Sequence, residues 1–317
     1  MNVLIFGASG QTGSYLSEQY IAQGANVYNA SRTNGLFSPA ESRFIHFDAL
    51  SGSEILTILT QSTPDVVINL LSLSSVFECA RNPEMSKQLN ADFVLDLIGA
   101  IAEYEQINGS PVKFLQASSS EMYSGYPAGS VISEIMEPKP LTTYGIHKTI
   151  AHFATLERSR DQKNSQAVVL FNHESPRRSL KFVSRKITNG LVSMKFDKLE
   201  QLTLGNINSR RDWGFASDYA SGIRKLIENQ NLTTIVLASG ELHSVSDFFT
   251  EGAKYLEIHN PMERIAIDPN LLREKENDGL IGDPSMAKQK LSWARSIEFN
   301  DLVRLMIDSE LQRRNIE

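Results

Sequence analysis

Three observations predict an α/β fold, a doubly wound parallel sheet with a smaller α/β C-terminal lobe. Short β-branched runs alternate with amphipathic stretches through the first half. Several of those runs, such as Val66-Val67-Ile68 and Val168-Val169-Leu170-Phe171, are apolar throughout, as strands covered on both faces are. After about residue 172 the rhythm changes to shorter strands among helices. Residues 1–171 are therefore expected to form the larger unit and 172–317 the smaller, with some chain passing back to the first.

The elements follow in order. Strands are expected at Asn2–Phe6, Asn26–Ala30, Phe44–Phe47, Asp65–Leu70, Val112–Gln116 and Ala167–Phe171. Helices are expected at Thr12–Gln23, closed by Gly24, and at Pro83–Gln106. The second part carries strands Leu202–Leu204 and Thr234–Leu237, with helices Ser217–Glu228, Ser244–Leu256 and Phe299–Gln312. No internal repeat or low-complexity tract interrupts this order.

Composition narrows the function. The 317 residues hold 31 Lys+Arg and 37 Asp+Glu, so the net charge is 31 − 37 = −6, the wrong sign for a nucleic-acid binder. One cysteine, Cys79, excludes an internal disulfide and any cysteine cluster for a metal. No apolar run reaches the roughly 18–20 residues that span a bilayer. Met1–Gly7 lacks the basic start of a signal peptide. A cytoplasmic enzyme without nucleic-acid or membrane partners is the expectation.

Gly7-Ala8-Ser9-Gly10-Gln11-Thr12-Gly13 follows the first strand and opens a helix. Glycines there allow a tight turn and close backbone approach, and the helix N-terminus offers N–H groups to a pyrophosphate. At this place the motif predicts a Rossmann-type dinucleotide site. The second strand ends in Ala30-Ser31-Arg32, where an NAD site usually carries an acid. Arg32 can pair with a 2′-phosphate, so NADP is expected rather than NAD. Asp48 could accept from the adenine amine or cap a helix.

Tyr144 and Lys148 lie four apart, on one face of a helix. A free tyrosine is only about a thousandth ionised at neutral pH, a deficit of about 4 kcal/mol, which a nearby ammonium reduces. The pair suits removal of a hydroxyl proton while hydride leaves the same carbon. Ser118-Ser119-Ser120-Glu121 follows the fifth strand. A serine there can share the bond to the reacting oxygen. Glu121 either supplies a second base, needed to take a proton beside a new ketone, or serves a salt bridge or cap. Basic blocks Asn172–Arg178, Phe182–Lys186 and Arg210–Gly214 suggest an anionic small molecule, whereas Arg185 alone reads as a solvated helix face.

These motifs resemble the extended short-chain dehydrogenase/reductases, closest to the GDP-mannose 4,6-dehydratases. The match rests on G-A-S-G-Q-T-G-S-Y-L (Gly7–Leu16), Q-A-S-S-S-E-M-Y (Gln116–Tyr123), Y-G-I-H-K (Tyr144–Lys148), L-F-N-H-E-S-P-R-R (Leu170–Arg178), F-V-S-R-K-I (Phe182–Ile187), R-R-D-W-G (Arg210–Gly214), A-S-G-E-L-H-S-V (Ala238–Val245) and A-K-Q-K-L-S-W (Ala287–Trp293). The resemblance implies a GDP-sugar substrate and an internal NADP redox cycle with loss of water, giving a 4-keto-6-deoxy sugar. It implies Ser119, Glu121, Tyr144 and Lys148 as catalytic residues. Gly7, Ser9, Gly10, Gln11, Thr12, Gly13, Arg32, Asp48, Leu70, Tyr144, Lys148 and His173 fall on cofactor positions. Ser74, Asn172, Val183, Lys186, Arg211 and Arg273 fall on substrate positions, and Arg177 joins Lys186, Arg211 and Arg273 in the expected basic pocket.

After the fourth strand the family usually reads N-L-G-A-Q-S-H-V, where this chain has Asn69-Leu70-Leu71-Ser72-Leu73-Ser74-Ser75-Val76. The hexose contacts should therefore differ. The Ser31–Arg43 loop also looks shorter than the family's subunit-joining segment, so a homodimer is expected before a tetramer. An epimerase, a 4-keto reductase or a non-catalytic NADP sensor would share parts of this pattern. The sensor would typically lack either the Tyr/Lys or the hydroxyl–carboxylate pair.

Overall fold

The computed structural model describes residues 1–49, 55–162, 164–197, 199–271 and 279–315. Its main sheet has seven strands, numbered here in chain order: β1 Asn2–Phe6, β2 Asn26–Ser31, β3 Arg43–His46, β4 Val66–Asn69, β5 Lys113–Ser119, β6 Ser165–Leu170 and β7 Thr234–Leu237. All pairings are parallel, in the order β7-β6-β5-β4-β1-β2-β3. The chain moves outward from β1 to β3, then crosses back to β4 on the other side of β1. A crevice at the carboxyl ends of β1 and β4 follows from that reversal.

Val3, Leu4, Ile5 and Phe6 are fully buried, as are Val67 and Ile68, because helices cover both faces of the sheet. On one face Phe6, Phe47 and Phe93 pack edge-on or tilted with Leu97 and Ile101. On the other, Leu16, Tyr20, Tyr219, Ile223 and Trp293 close the core. Chain from the second half thus builds the first core: β7 pairs with β6, and Trp293 Nε1 donates to Asp218 O at 2.7 Å. A third apolar cluster gathers Leu191, Phe248, Phe249, Trp213 and Phe299 beyond the main sheet.

Two expectations need correction. β5 does not stop at Gln116; pairing with β6 carries it to Ser119, opposite Leu170. The Pro83–Gln106 helix is not continuous. It consists of α-helix Pro83–Lys87, a π-helical turn Gln88–Asp92 and α-helix Phe93–Asn108. The turn turns the side chain of Asn90 inward, where it bonds the loop after β4 instead of continuing a regular surface.

Candidate active site

A cleft of about 1110 Å³ opens along the carboxyl ends of β1–β6 and continues between the two parts of the chain. Gly7 begins its floor with φ near 80°, a conformation that favours glycine. A Cβ on Gly7 would stand 2.6 Å from Leu71 N, so the glycine turn and the loop after β4 touch backbone to backbone. Helix Gln11–Ala22 starts at Gly10 with no side-chain cap and no acidic residue in its first turn. Its leading N–H groups suit an anion, and Arg32 and Asp48 stand beyond β2 and β3 along the same wall. These residues fit a phosphorylated dinucleotide.

Thr12 and His173 join the two parts of the chain across 161 residues. Burial pushes the His173 imidazole down to about 4, so the ring is neutral. Its Nδ1 lies 2.8 Å from Phe171 O, which only accepts, so Nδ1 carries the proton. Nε2 then accepts from Thr12 Oγ1 at 2.8 Å. The ring also stacks on Tyr219, with centroids 4.8 Å apart. Gln11 Nε2 donates to His173 O at 2.7 Å and Gln11 Oε1 accepts from Ser175 Oγ, so the second part of the chain fixes the first turn of the helix.

Tyr144 and Lys148 project from helix Thr143–Gln162 into the cleft, and both are buried. Burial pushes the Tyr144 phenol up to about 12, while the hydroxyls of Ser72 and Ser119 pull it back. Burial also lowers Lys148 to about 8, and its Nζ donates to Ala117 O at 2.9 Å. The expected relief of the phenol by the ammonium is thus not the leading effect; dehydration dominates both groups, and serine hydroxyls supply the local compensation.

Glu121 sits just past β5, where Ser119 Oγ accepts from Glu121 N at 3.2 Å. Its carboxylate accepts from Thr142 Oγ1 at 3.3 Å, at the start of the Tyr144 helix, where the helix dipole favours negative charge. A Cβ on Gly145 would lie 2.4 Å from Glu121 O, so only a glycine lets the helix come this near. Hydroxyl, carboxylate, phenol and ammonium are therefore gathered in one cleft.

The opposite wall carries Asn172, Val183, Lys186 and Arg211, with Arg178 and Lys181 beside them. Strand Asn172–Glu174 pairs in parallel with Trp213–Phe215, which aligns two of the motifs. Asp212 anchors the arrangement: its buried carboxylate accepts from Ser239 N, Gly240 N and Gly282 N at 2.7–3.0 Å. Arg177 is not on this wall. It lies 3.8 Å over the Tyr15 ring and pairs with Glu18 at 2.7 Å, so the expectation that it serves the pocket is corrected. Arg185 is not a solvated face either; it pairs with the buried Glu310.

Gly7, Ser9, Gly10, Gln11, Thr12, Gly13, Leu70 and Ser74 also line the cleft with the residues above. Arg273 lies outside the described residues. Leu71 packs against the apolar cluster around Phe47, and Ser75 caps helix Val76–Arg81 by accepting from Glu78 N at 3.2 Å. Sequence reasoning missed Ser72 and Lys181, and took Arg178 only as part of its basic block. Ser72 stands in the departing loop, where no motif marks it, and Lys181 lies between two of the basic blocks. Among the described residues no helix is long and apolar enough to cross a membrane.

A sequence model of the family described as GDP-mannose 4,6 dehydratase matches residues 4–306. The chain belongs to the GDP-mannose 4,6-dehydratase family. GDP-mannose 4,6 dehydratase 1 of Arabidopsis thaliana is 33% identical over 98% of this chain and 89% of its own length. The Homo sapiens GDP-mannose 4,6 dehydratase is 32% identical, over 98% and 92%. The fold is shared more widely. UDP-glucose 4-epimerase of Thermotoga maritima superposes with a TM-score of 0.85 at 20% identity, covering 100% of both chains. RMD from Pseudomonas aeruginosa, solved with NADPH, gives 0.76 at 21%, covering 99% of this chain and 100% of that one. The glycine turn and the Tyr144 helix of this GDP-mannose 4,6-dehydratase family member thus sit in a fold used for several nucleotide sugars.

Proposed function

We propose that this chain is a GDP-sugar 4,6-dehydratase of the GDP-mannose type, working with a retained NADP. The reading is carried by one observation: Glu121 shares a cleft with Ser119, Tyr144 and Lys148. Oxidising an alcohol requires only the hydroxyl–phenol–ammonium set. A second base is required to remove the C5 proton beside a new C4 ketone.

Gly7–Gly13, Arg32 and Asp48, which line the cleft, would hold the dinucleotide, and the free N–H groups of the Gln11–Ala22 helix would suit its diphosphate. Held there, NADP would supply the hydride chemistry of the cycle, from sugar C4 and back to C6. Tyr144 takes the C4 hydroxyl proton, with Ser119 sharing the bond to that oxygen and Lys148 supporting the phenolate. Glu121 removes the C5 proton and delivers it to the departing C6 hydroxyl, which leaves as water. When hydride returns to C6, C5 takes a proton from the pool that Tyr144 and solvent hold, which returns Tyr144 to its starting state. Asn172, Val183, Lys186, Arg211 and Arg273 contact the GDP. Residues 1–171 serve mainly the cofactor and 172–317 mainly the substrate, with β7 returning to the first sheet.

The enzyme is a homodimer in this reading. Ile146, Ile150 and Phe153 are 45%, 41% and 52% exposed at spacings that place them on one stripe of the catalytic helix. Leu95, on the helix Phe93–Asn108, is also 44% exposed. A free, buried Cys79 suits a reducing cytosol.

The test is incubation of the protein with GDP-mannose and NADP+ far below the substrate concentration. Formation of GDP-4-keto-6-deoxymannose over many turnovers, with no NADPH accumulating, is expected. Release of an epimer without water loss, or consumption of NADPH in step with product, contradicts the assignment.

A further inference from the structure

Thr142 stands immediately before the helix Thr143–Gln162 that carries Tyr144. It caps that helix: Thr142 O accepts from Ile146 N at 2.9 Å, and Thr142 Oγ1 accepts from Gly145 N at 3.0 Å. The same hydroxyl lies 3.3 Å from Glu121 Oε2. A threonine hydroxyl has one proton and Gly145 N can only donate, so that proton points to Glu121. An ionised carboxylate can only accept it. The direction of both bonds is therefore fixed by the groups themselves.

The backbone holds the same arrangement. Glu121 sits in the short turn Ser120–Tyr123, where its N donates to Ser119 Oγ at 3.2 Å and its O accepts from Ser124 N at 3.3 Å. Gly145 packs against that carbonyl so closely that a Cβ there would stand 2.4 Å away. Thr142 thus ties the turn that carries the carboxylate to the helix that carries the phenol. Its bond occupies Oε2 and leaves Oε1 to receive a proton. Ser119, Glu121 and Tyr144 line the cleft, whereas Thr142 is outside its lining.

We propose that Thr142 is the positioning residue for Glu121, holding one carboxylate oxygen so that the other meets C5 while Tyr144 serves C4. The inference rests on the dehydratase reading, in which Glu121 is the C5 base. The Thr142 proton is never transferred; it donates to Oε2 before and after Oε1 takes the proton from C5. Loss of the hydroxyl should slow the C5 step and spare C4 oxidation.

The experiment mixes NADP+-loaded enzyme, in excess, with GDP-mannose and follows bound NADPH by its absorbance. Thr142→Val should build up more NADPH than wild type, because C4 is still oxidised while water loss is delayed. Its kcat should fall about three- to tenfold, and deuterium at C5 of the substrate should slow it more than it slows wild type. Thr142→Ser should restore all three readings. Thr142→Gly keeps most of the cap's stability without the hydroxyl, so it should unfold close to wild type yet share the valine variant's kinetics. Wild-type kinetics in either hydroxyl-free variant, or equal slowing of oxidation and water loss, overturns the proposal. A double-mutant cycle with Glu121→Met, read by denaturant unfolding, needs no substrate: the pair should be coupled about three- to tenfold in the unfolding constant. A coupling factor of one overturns the proposal as well. If the wild type fails to turn over GDP-mannose, the dehydratase reading falls, while the cycle still decides whether Thr142 holds Glu121.

Discussion

Lys148 Nζ stands 5.9 Å from the centroid of the Tyr144 ring and gives its hydrogen bond to Ala117 O. Burial lowers the ammonium from 10.5 to about 8 and raises the phenol from 10.0 to about 12. The folded protein therefore holds both groups where their working charges are disfavoured. Below pH 8 the lysine is protonated whether folded or unfolded, and the folded state bears the cost of its dehydration. Stability should rise between pH 8 and 10.5 as that charge is released. Lys148→Met should then be about 1–3 kcal/mol more stable at pH 7, yet lose at least about a hundredfold in turnover. Denaturant unfolding beside an activity assay checks both, and a less stable variant contradicts the burial account.

Glu121→Gln should separate the two halves of the reaction. The amide keeps the shape beside Thr142 but cannot take a proton. Dehydration should fall by about 10²–10⁴, with NADP+ affinity within about twofold of wild type. Product assays and cofactor titration provide the comparison. Wild-type turnover would make Glu121 a structural residue.

Arg32→Glu tests the cofactor choice. In the proposed site the exchange would replace a charge-assisted partner of the 2′-phosphate by a repelling carboxylate. The Kd for NADP+ should rise about 10- to 100-fold, with NAD+ binding little changed. Equal losses for the two dinucleotides would place Arg32 elsewhere.

His173→Gln tests the neutral imidazole that holds Thr12. Its folded value of about 4 lies below the ordinary 6.5, so between these pH values the unfolded chain binds the extra proton. Stability from His173 is full above pH 6.5 and is lost towards pH 4, at up to about 1.4 kcal/mol per pH unit. The stability advantage of wild type over His173→Gln should therefore shrink by about 1–2 kcal/mol from pH 7 to pH 5. A difference that stays constant with pH contradicts this protonation state.

Phe153→Asp places a charge in the exposed stripe of the Tyr144 helix. Size-exclusion chromatography with light scattering should show the wild type at twice the chain mass and the variant at one. A monomeric wild type removes the dimer reading.

Local patterns made much of this visible in the sequence. The glycine turn, the apolar strands and the four-residue step from Tyr144 to Lys148 each reflect neighbours within one element, where spacing sets direction. The residues that escaped depend on distant contacts. Asn90 leaves the regular helix because it binds Leu73 across 17 residues, and Arg177 is drawn from the pocket by Glu18 across 159. Arg185 looked solvated until Glu310 met it from the final helix. Spacing also placed Lys148 beside Tyr144 but could not weigh their shared dehydration, which only the packed cleft reveals.

The central claim is that the hydride taken from C4 returns to C6 of the same sugar. GDP-mannose deuterated at C4, mixed with unlabelled substrate and limiting unlabelled NADP+, tests this by mass spectrometry and NMR of the product. The account predicts deuterium at C6, in the same fraction of product molecules as was labelled in the substrate, with solvent-derived hydrogen at C5. Deuterium retained at C4, or spread among unlabelled molecules through the free cofactor pool, would contradict it.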